Sequence, residues 1–100
     1  MATITGLMMA GLLATGGAPD MYVDARGLSM ARPGDALVLA ERIRSASGAW
    51  CATHRAVLTP DHVGDPRVCE REMKRRAIHQ VPWAERLLFV RAGGQRALNL

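Results

Sequence analysis

The sequence predicts a small α+β domain: one N-terminal β-strand, two helices joined by a disulfide, and an apolar run near the C-terminus that fits a further strand. Three observations predict it. Residues 21–28 alternate in character. Residues 34–51 and 66–81 each repeat apolar side chains every three or four positions. One cysteine falls on each of those two helical segments. One hundred residues allow a single domain.

The first eighteen residues, MATITGLMMAGLLATGGA, carry no charged side chain, and all thirteen basic and nine acidic residues lie beyond them. The apolar core near Leu7–Leu13 is too short and too glycine-rich for a membrane span, which needs about 20 apolar residues. A short apolar core followed by small residues has the shape of a secretory signal, with Gly16 and Ala18 suited to cleavage after Ala18. No Lys or Arg precedes that core, so the basic start of such a signal is missing. A retained anchor and an ordinary buried helix are the alternatives; the abrupt onset of charge at Asp20 favours a leader. The expected compartment is therefore periplasmic or secreted.

Tyr22, Asp24, Arg26 and Leu28 alternate with Met21, Val23 and Ala25, which predicts a strand of about six residues. Gly27 ends or bulges it. A lone strand needs a pairing partner, either Leu87–Val90 or a second copy of the chain.

Pro33 suits a first helical turn, where its missing N–H costs nothing, and Asp35 complements the helix dipole. Ala36, Leu39, Ile43, Ala46 and Trp50 share one face, so a helix is expected from about Gly34 to Trp50 or Cys51, with Gly48 weakening its last turns. Residues 53–65 read as a connector. Asp65-Pro66 is a helix start, Asp as N-cap and Pro at N1. Val68, Cys69, Met73, Ala77 and Val81 form a ridge, and Pro82 stops the helix. Beyond it, Leu87-Leu88-Phe89-Val90 fits either a strand or a short helix capped by Gly93-Gly94. The tail from Gln95 to Leu100 reads as loosely ordered.

Cys51 at the end of one helix and Cys69 at the start of the next can approach across the connector. In an exported protein such an even pair usually oxidises. Two alternatives stay open: two separate buried thiols, or a metal- or redox-active site using Cys51, His54 and Cys69. Cys51-Ala-Thr-His54 is a C-x-x-H pair that Cys69 and His79 could complete, although His79 lies about 15 Å along the helix from Cys69. The haem-attachment and redox C-x-x-C spacings are absent.

Several of these residues resemble the UrcA family. Tyr22-Val23-Asp24, Leu28-Ser29, Gly34, Arg42-Ile43, Ala46 and Cys51 are similar to its opening half. Cys69 followed by Ala77, Ile78, Gln80 and Val81 is similar to its second half. The resemblance covers about residues 20–81. It implies a leader over 1–18, a UrcA-like domain over 19–82 and a C-terminal extension over 83–100. It also implies an exported bacterial protein, supports the Cys51–Cys69 disulfide, and brings no activity with it, since the family has none established.

No catalytic constellation appears. Asp24 reads as a turn-forming residue, with a ligand or acid–base role as the alternative. His54, His62 and His79 are dispersed and paired with no nucleophile. The glycine pairs at 16–17 and 93–94 lack the strand–turn–helix context of phosphate loops. No cofactor is implied. On the second helix Arg71, Lys74 and Arg75 converge on one side, near Arg76 and partly offset by Glu70 and Glu72. That face fits an anionic lipid, polysaccharide or nucleic acid, or simply solvent. Nucleic acid is disfavoured by export and by the lack of aromatics placed for stacking. The expected protein is non-enzymatic, with an envelope component or self-association through the N-terminal strand as its partnership.

Overall fold

The computed structural model describes residues 3–4, 7–10, 20–58 and 65–100, with side chains described for 20–54 and 65–100. Among the described residues, four short strands precede four helices: β1 (Thr3–Ile4), β2 (Leu7–Ala10), β3 (Met21–Asp24), β4 (Leu28–Ser29), α1 (Pro33–Leu58), α2 (Pro66–Gln80), α3 (Trp83–Arg91) and α4 (Gly94–Ala97). The described chain is mostly helical, and among its described residues the strands pair two by two, β1 with β4 and β2 with β3, both antiparallel.

The expected N-terminal strand is β3. Met21 and Val23 are buried while Tyr22 and Asp24 are exposed, as a half-buried strand requires. It is shorter than the alternation implied. Gly27 adopts φ +80°, a conformation favoured only for glycine, and Leu28 N–H donates to the Ala25 carbonyl at 3.3 Å. This turn brings Leu28 to the buried side rather than the side of Tyr22 and Asp24. Within the chain the pairing partner is not Leu87–Val90. It is β2, in register Leu7↔Asp24, Met8↔Val23, Met9↔Tyr22 and Ala10↔Met21. Part of the leader-like segment therefore supplies strands to the domain. The expected cleavage point after Ala18 lies outside the described residues.

Helix α1 starts at Pro33 as expected. Asp35 binds the junction before it: Oδ2 accepts from Ser29 N–H at 2.9 Å and pairs with Arg32 at 2.6 Å. Its buried face is Ala36, Leu39, Ala40, Ile43, Ser47, Trp50 and Cys51. The helix does not end at Cys51 but runs to Leu58. Gly48 alone costs a helix only about 0.5–1 kcal/mol. The residues after it, Ala49-Trp50-Cys51-Ala52, continue a helical face, and the Trp50 and His54 rings meet one turn apart with centroids 5.0 Å apart. Of the connector expected over 53–65, residues 53–58 belong to α1 and Asp65 caps α2; residues 59–64 lie outside the described residues.

Helix α2 begins with the expected cap: Asp65 Oδ1 accepts from Arg67 N–H at 3.0 Å, with Pro66 in the first turn. Cys69, Met73, Ala77 and Val81 are buried along the expected ridge, joined by Ile78; Val68 is only half-buried. Helices α1 and α2 pack against each other, β3 lies against α1, and β2 lies against α2.

The apolar run Leu87–Val90 is helical, in α3, which corrects the C-terminal strand. Four consecutive apolar residues fit either period. The decision comes from Pro82, whose carbonyl accepts the first helical bond from Arg86 at 2.8 Å, and from the helix formers Ala84-Glu85-Arg86. Phe89 is fully buried and anchors α3 to the core. Nor is the tail loose. Gly93 at φ +90° turns the chain into α4, and Leu98 is buried against the core. Burying a side chain such as Leu39, Ile43, Met73 or Phe89 contributes about 1.5–3 kcal/mol each.

Candidate functional site

Cys51 and Cys69 form a disulfide with Cα atoms 5.9 Å apart, and both residues are fully buried. Because α1 continues past Cys51, the bridge joins the body of α1 to the first turns of α2. Each sulfur is consumed by the other, and no free cysteine remains. The separate-thiol alternative is thereby overturned, and neither sulfur is a thiolate able to hold a metal. His54 packs against Trp50 instead, and His79 is exposed on the last turn of α2. Among the described residues no group of three or more His, Cys, Asp or Glu side chains is placed to hold a metal ion. His62 lies outside the described residues.

The basic face of α2 is thinner than its sequence implies. Arg71 and Arg75 are exposed. Lys74 is drawn inward, its Nζ donating to the Leu98 carbonyl at 3.4 Å, so it ties α2 to the C-terminal residues. Arg76 pairs with Glu72 at 2.9 Å. Arg75 instead shares a hollow of about 330 Å³ with Ile78, His79, Arg86, Gln95 and Leu100. Arg86 is held there by two bonds, from Nη2 to the His79 and Val81 carbonyls at 3.1 and 3.0 Å. It satisfies carbonyls at the end of α2 that have no helical partner.

Asp24 makes a local turn. Its Oδ1 accepts from Arg26 N–H and Nε, each at 3.0 Å, and Oδ2 accepts from Arg26 Nη2 at 3.2 Å. The Arg26 side chain and then its backbone N–H hold the carboxyl down at about 2. Arg42 of α1 donates to the Asp24 carbonyl at 2.8 Å. Asp24 and Arg42 therefore fasten the end of β3 to α1, which accounts for both without a ligand.

Two features escaped the sequence reading. Tyr22, 53% exposed, borders an open groove with Asp20, Ala46, Trp50 and His54. On α3, Trp83, Leu87 and Val90 are 68%, 40% and 45% exposed, although all three are large apolar residues. Their i, i+4, i+7 spacing is visible in the sequence. The unbroken run Leu87–Val90 hides which side faces the core, because Leu88 and Phe89 fit the opposite face equally well.

Comparison of the chain with protein-family models, with curated proteins and with solved structures finds no match. Among the described residues, no helix is long and apolar enough to cross a membrane.

Proposed function

We propose that this chain is a small non-enzymatic exported protein, periplasmic or secreted, that works as a binding or structural component of the bacterial envelope and resembles the UrcA family. The observation that carries this reading is the buried Cys51–Cys69 disulfide. Such bridges form and persist in oxidising compartments and are rare in the cytosol. A domain this small gains a large share of its stability from one. The uncharged segment 1–18 supports export, and the α+β class rests on the paired strands β1–β4 and β2–β3.

Intact mass of the protein recovered from fractionated cells tests the reading. The expected species lacks the leader, carries one disulfide and is found outside the cytoplasm. Full-length chain with two free thiols, confined to the cytoplasm, would overturn it.

A second reading, an anionic-surface binder, is favoured by charge placement. Residues 65–100 hold eight basic and four acidic side chains, so this C-terminal segment carries a surplus equal to the net +4 of the whole chain. Arg71 and Arg75 are its exposed members on α2. Retention on an anionic surface that survives replacement of both by Ala would remove α2 from that role.

A further inference from the structure

The exposed stripe on α3 lies in the cationic C-terminal segment, residues 65–100. Trp83, Leu87 and Val90 recur at i, i+4 and i+7, and at 3.6 residues per turn they fall within an arc of about 60°. Phe89, on the other side, is fully buried, so the stripe faces outward. Arg86 and Arg91 flank it on its two sides, while Glu85 lies on the face opposite. At the C-terminal end of the stripe, Val90 and Arg91 open into a shallow hollow of about 620 Å³ that also holds Arg96 and Asn99. Among the described residues, no ion pair engages Arg91 or Arg96.

We propose that this face of α3 docks on an anionic phospholipid surface. Trp83, Leu87 and Val90 enter the interfacial zone, and Arg91 and Arg96 meet the lipid phosphates. Helix α3 is short and apolar on its buried side as well, so the contact is made by its outward stripe alone: apolar side chains beside cations suit the lipid headgroup boundary. Tryptophan favours that zone because its ring is apolar and its N–H is polar. The charge complementarity is to lipid: residues 65–100, which bear the stripe, have twice as many cations as acids. Three apolar side chains give weak, reversible docking rather than insertion. The proposal goes beyond the export reading and does not depend on it. Lipid binding is read on purified protein, whereas export is read from mass and compartment.

The test uses the purified full chain with vesicles of phosphatidylcholine alone or phosphatidylcholine mixed with phosphatidylglycerol. Trp83 is exposed and Trp50 is only 7% exposed, so a change in emission or acrylamide quenching reports the stripe. Co-sedimentation with the anionic vesicles is expected, with a blue shift and reduced quenching. Affinity should fall at least about tenfold between low and high salt, as charges at a wet interface are screened. Leu87→Ser with Val90→Ser, and separately Trp83→Ser, should abolish sedimentation while leaving the far-ultraviolet dichroism unchanged. Equal binding to neutral vesicles would overturn the proposal, as would no binding by the folded chain. Binding retained by both variants would place lipid affinity elsewhere, on Arg71 and Arg75 of α2 or on the apolar first eighteen residues, and would also overturn it.

Discussion

Gly94 lies flat against the ring of Phe89: a Cβ placed on Gly94 would stand 2.4–2.6 Å from three ring atoms. Phe89 is fully buried, so its ring cannot swing away, and the start of α4 cannot retreat without pulling Leu98 from the core. Gly48, in the middle of α1, is the opposite case, with nothing within 4 Å of the same position. One substitution should therefore act with opposite signs. Gly94→Ala is expected to destabilise by about 1–3 kcal/mol through overpacking. Gly48→Ala is expected to stabilise by about 0.5–1 kcal/mol, because alanine loses less backbone freedom in a helix. Urea unfolding followed by circular dichroism measures both. A stabilised Gly94→Ala protein would mean that Phe89 does not occupy this position.

The Cys51–Cys69 bridge encloses a sequence separation of 18 residues. In the chain-entropy treatment, closing a loop of that size contributes about 3 kcal/mol by restricting the unfolded chain. Both residues are fully buried, so alanine is the suitable replacement; serine would bring unpaired hydroxyls into the core. Cys51→Ala with Cys69→Ala should lose about that amount and keep its helix content. Reduction of the native protein should lower its denaturation midpoint in the same direction. A double variant as stable as the parent would show that α1–α2 packing alone holds the helix pair.

Two carboxylates near the strand–helix junction contribute to the acid response, alongside Asp65 at the start of α2, which is also lowered. The Arg26 guanidinium holds Asp24 at about 2, down from an ordinary 3.8. The Ser29 backbone N–H, followed by Arg32, lowers Asp35. A carboxyl with a depressed folded-state pKa contributes stability at pH above its unfolded value, and loses it as pH falls toward the folded one. The thermal midpoint should therefore be level above the ordinary carboxylate range and decline as pH drops from 3.8 toward 2. Asp24 is exposed and its partner is screened by water, so its share of the slope is shallow. Asp24→Asn should lower the midpoint at neutral pH and flatten the decline. An unchanged profile would assign the acid response to other groups.

Sequence and structure agree where a local signal had no competitor. The Asp65-Pro66 start, the Pro82 stop and the Cys69–Met73–Ala77 ridge each rest on local chemistry, and each stands in the fold. The end of α1 was less legible because Gly48 is a weak breaker, and what outweighs it is tertiary: the Cys51 bridge and the buried Trp50. Leu87–Val90 was ambiguous because an unbroken apolar run carries no period. Its packing depends on where α1 and α2 leave room for Phe89. The same ambiguity concealed the outward stripe of Trp83, Leu87 and Val90. The basic face was legible as composition but not as geometry. Nothing local to Lys74 indicates that it donates to Leu98, 24 residues away.

The pairing of β2 with β3 ties the leader-like segment to the domain and can be tested directly. Four residue pairs, from Leu7↔Asp24 to Ala10↔Met21, run antiparallel, and among the described residues β3 has no other partner strand. Backbone amides on the β2 side of Met21–Asp24 should exchange slowly with solvent deuterium in the full chain. In protein that has lost residues 1–18 they should exchange much faster, since unpaired edge groups face water. Amides of Ile43, Met73 and Ala77 should stay protected in both forms, because those residues are buried within α1 and α2 and the bridge at Cys51 and Cys69 is untouched. Equal protection of Met21–Asp24 in the two forms would require another strand to take the place of β2. An oligomeric-state measurement on the shortened protein would then identify a second copy as that strand.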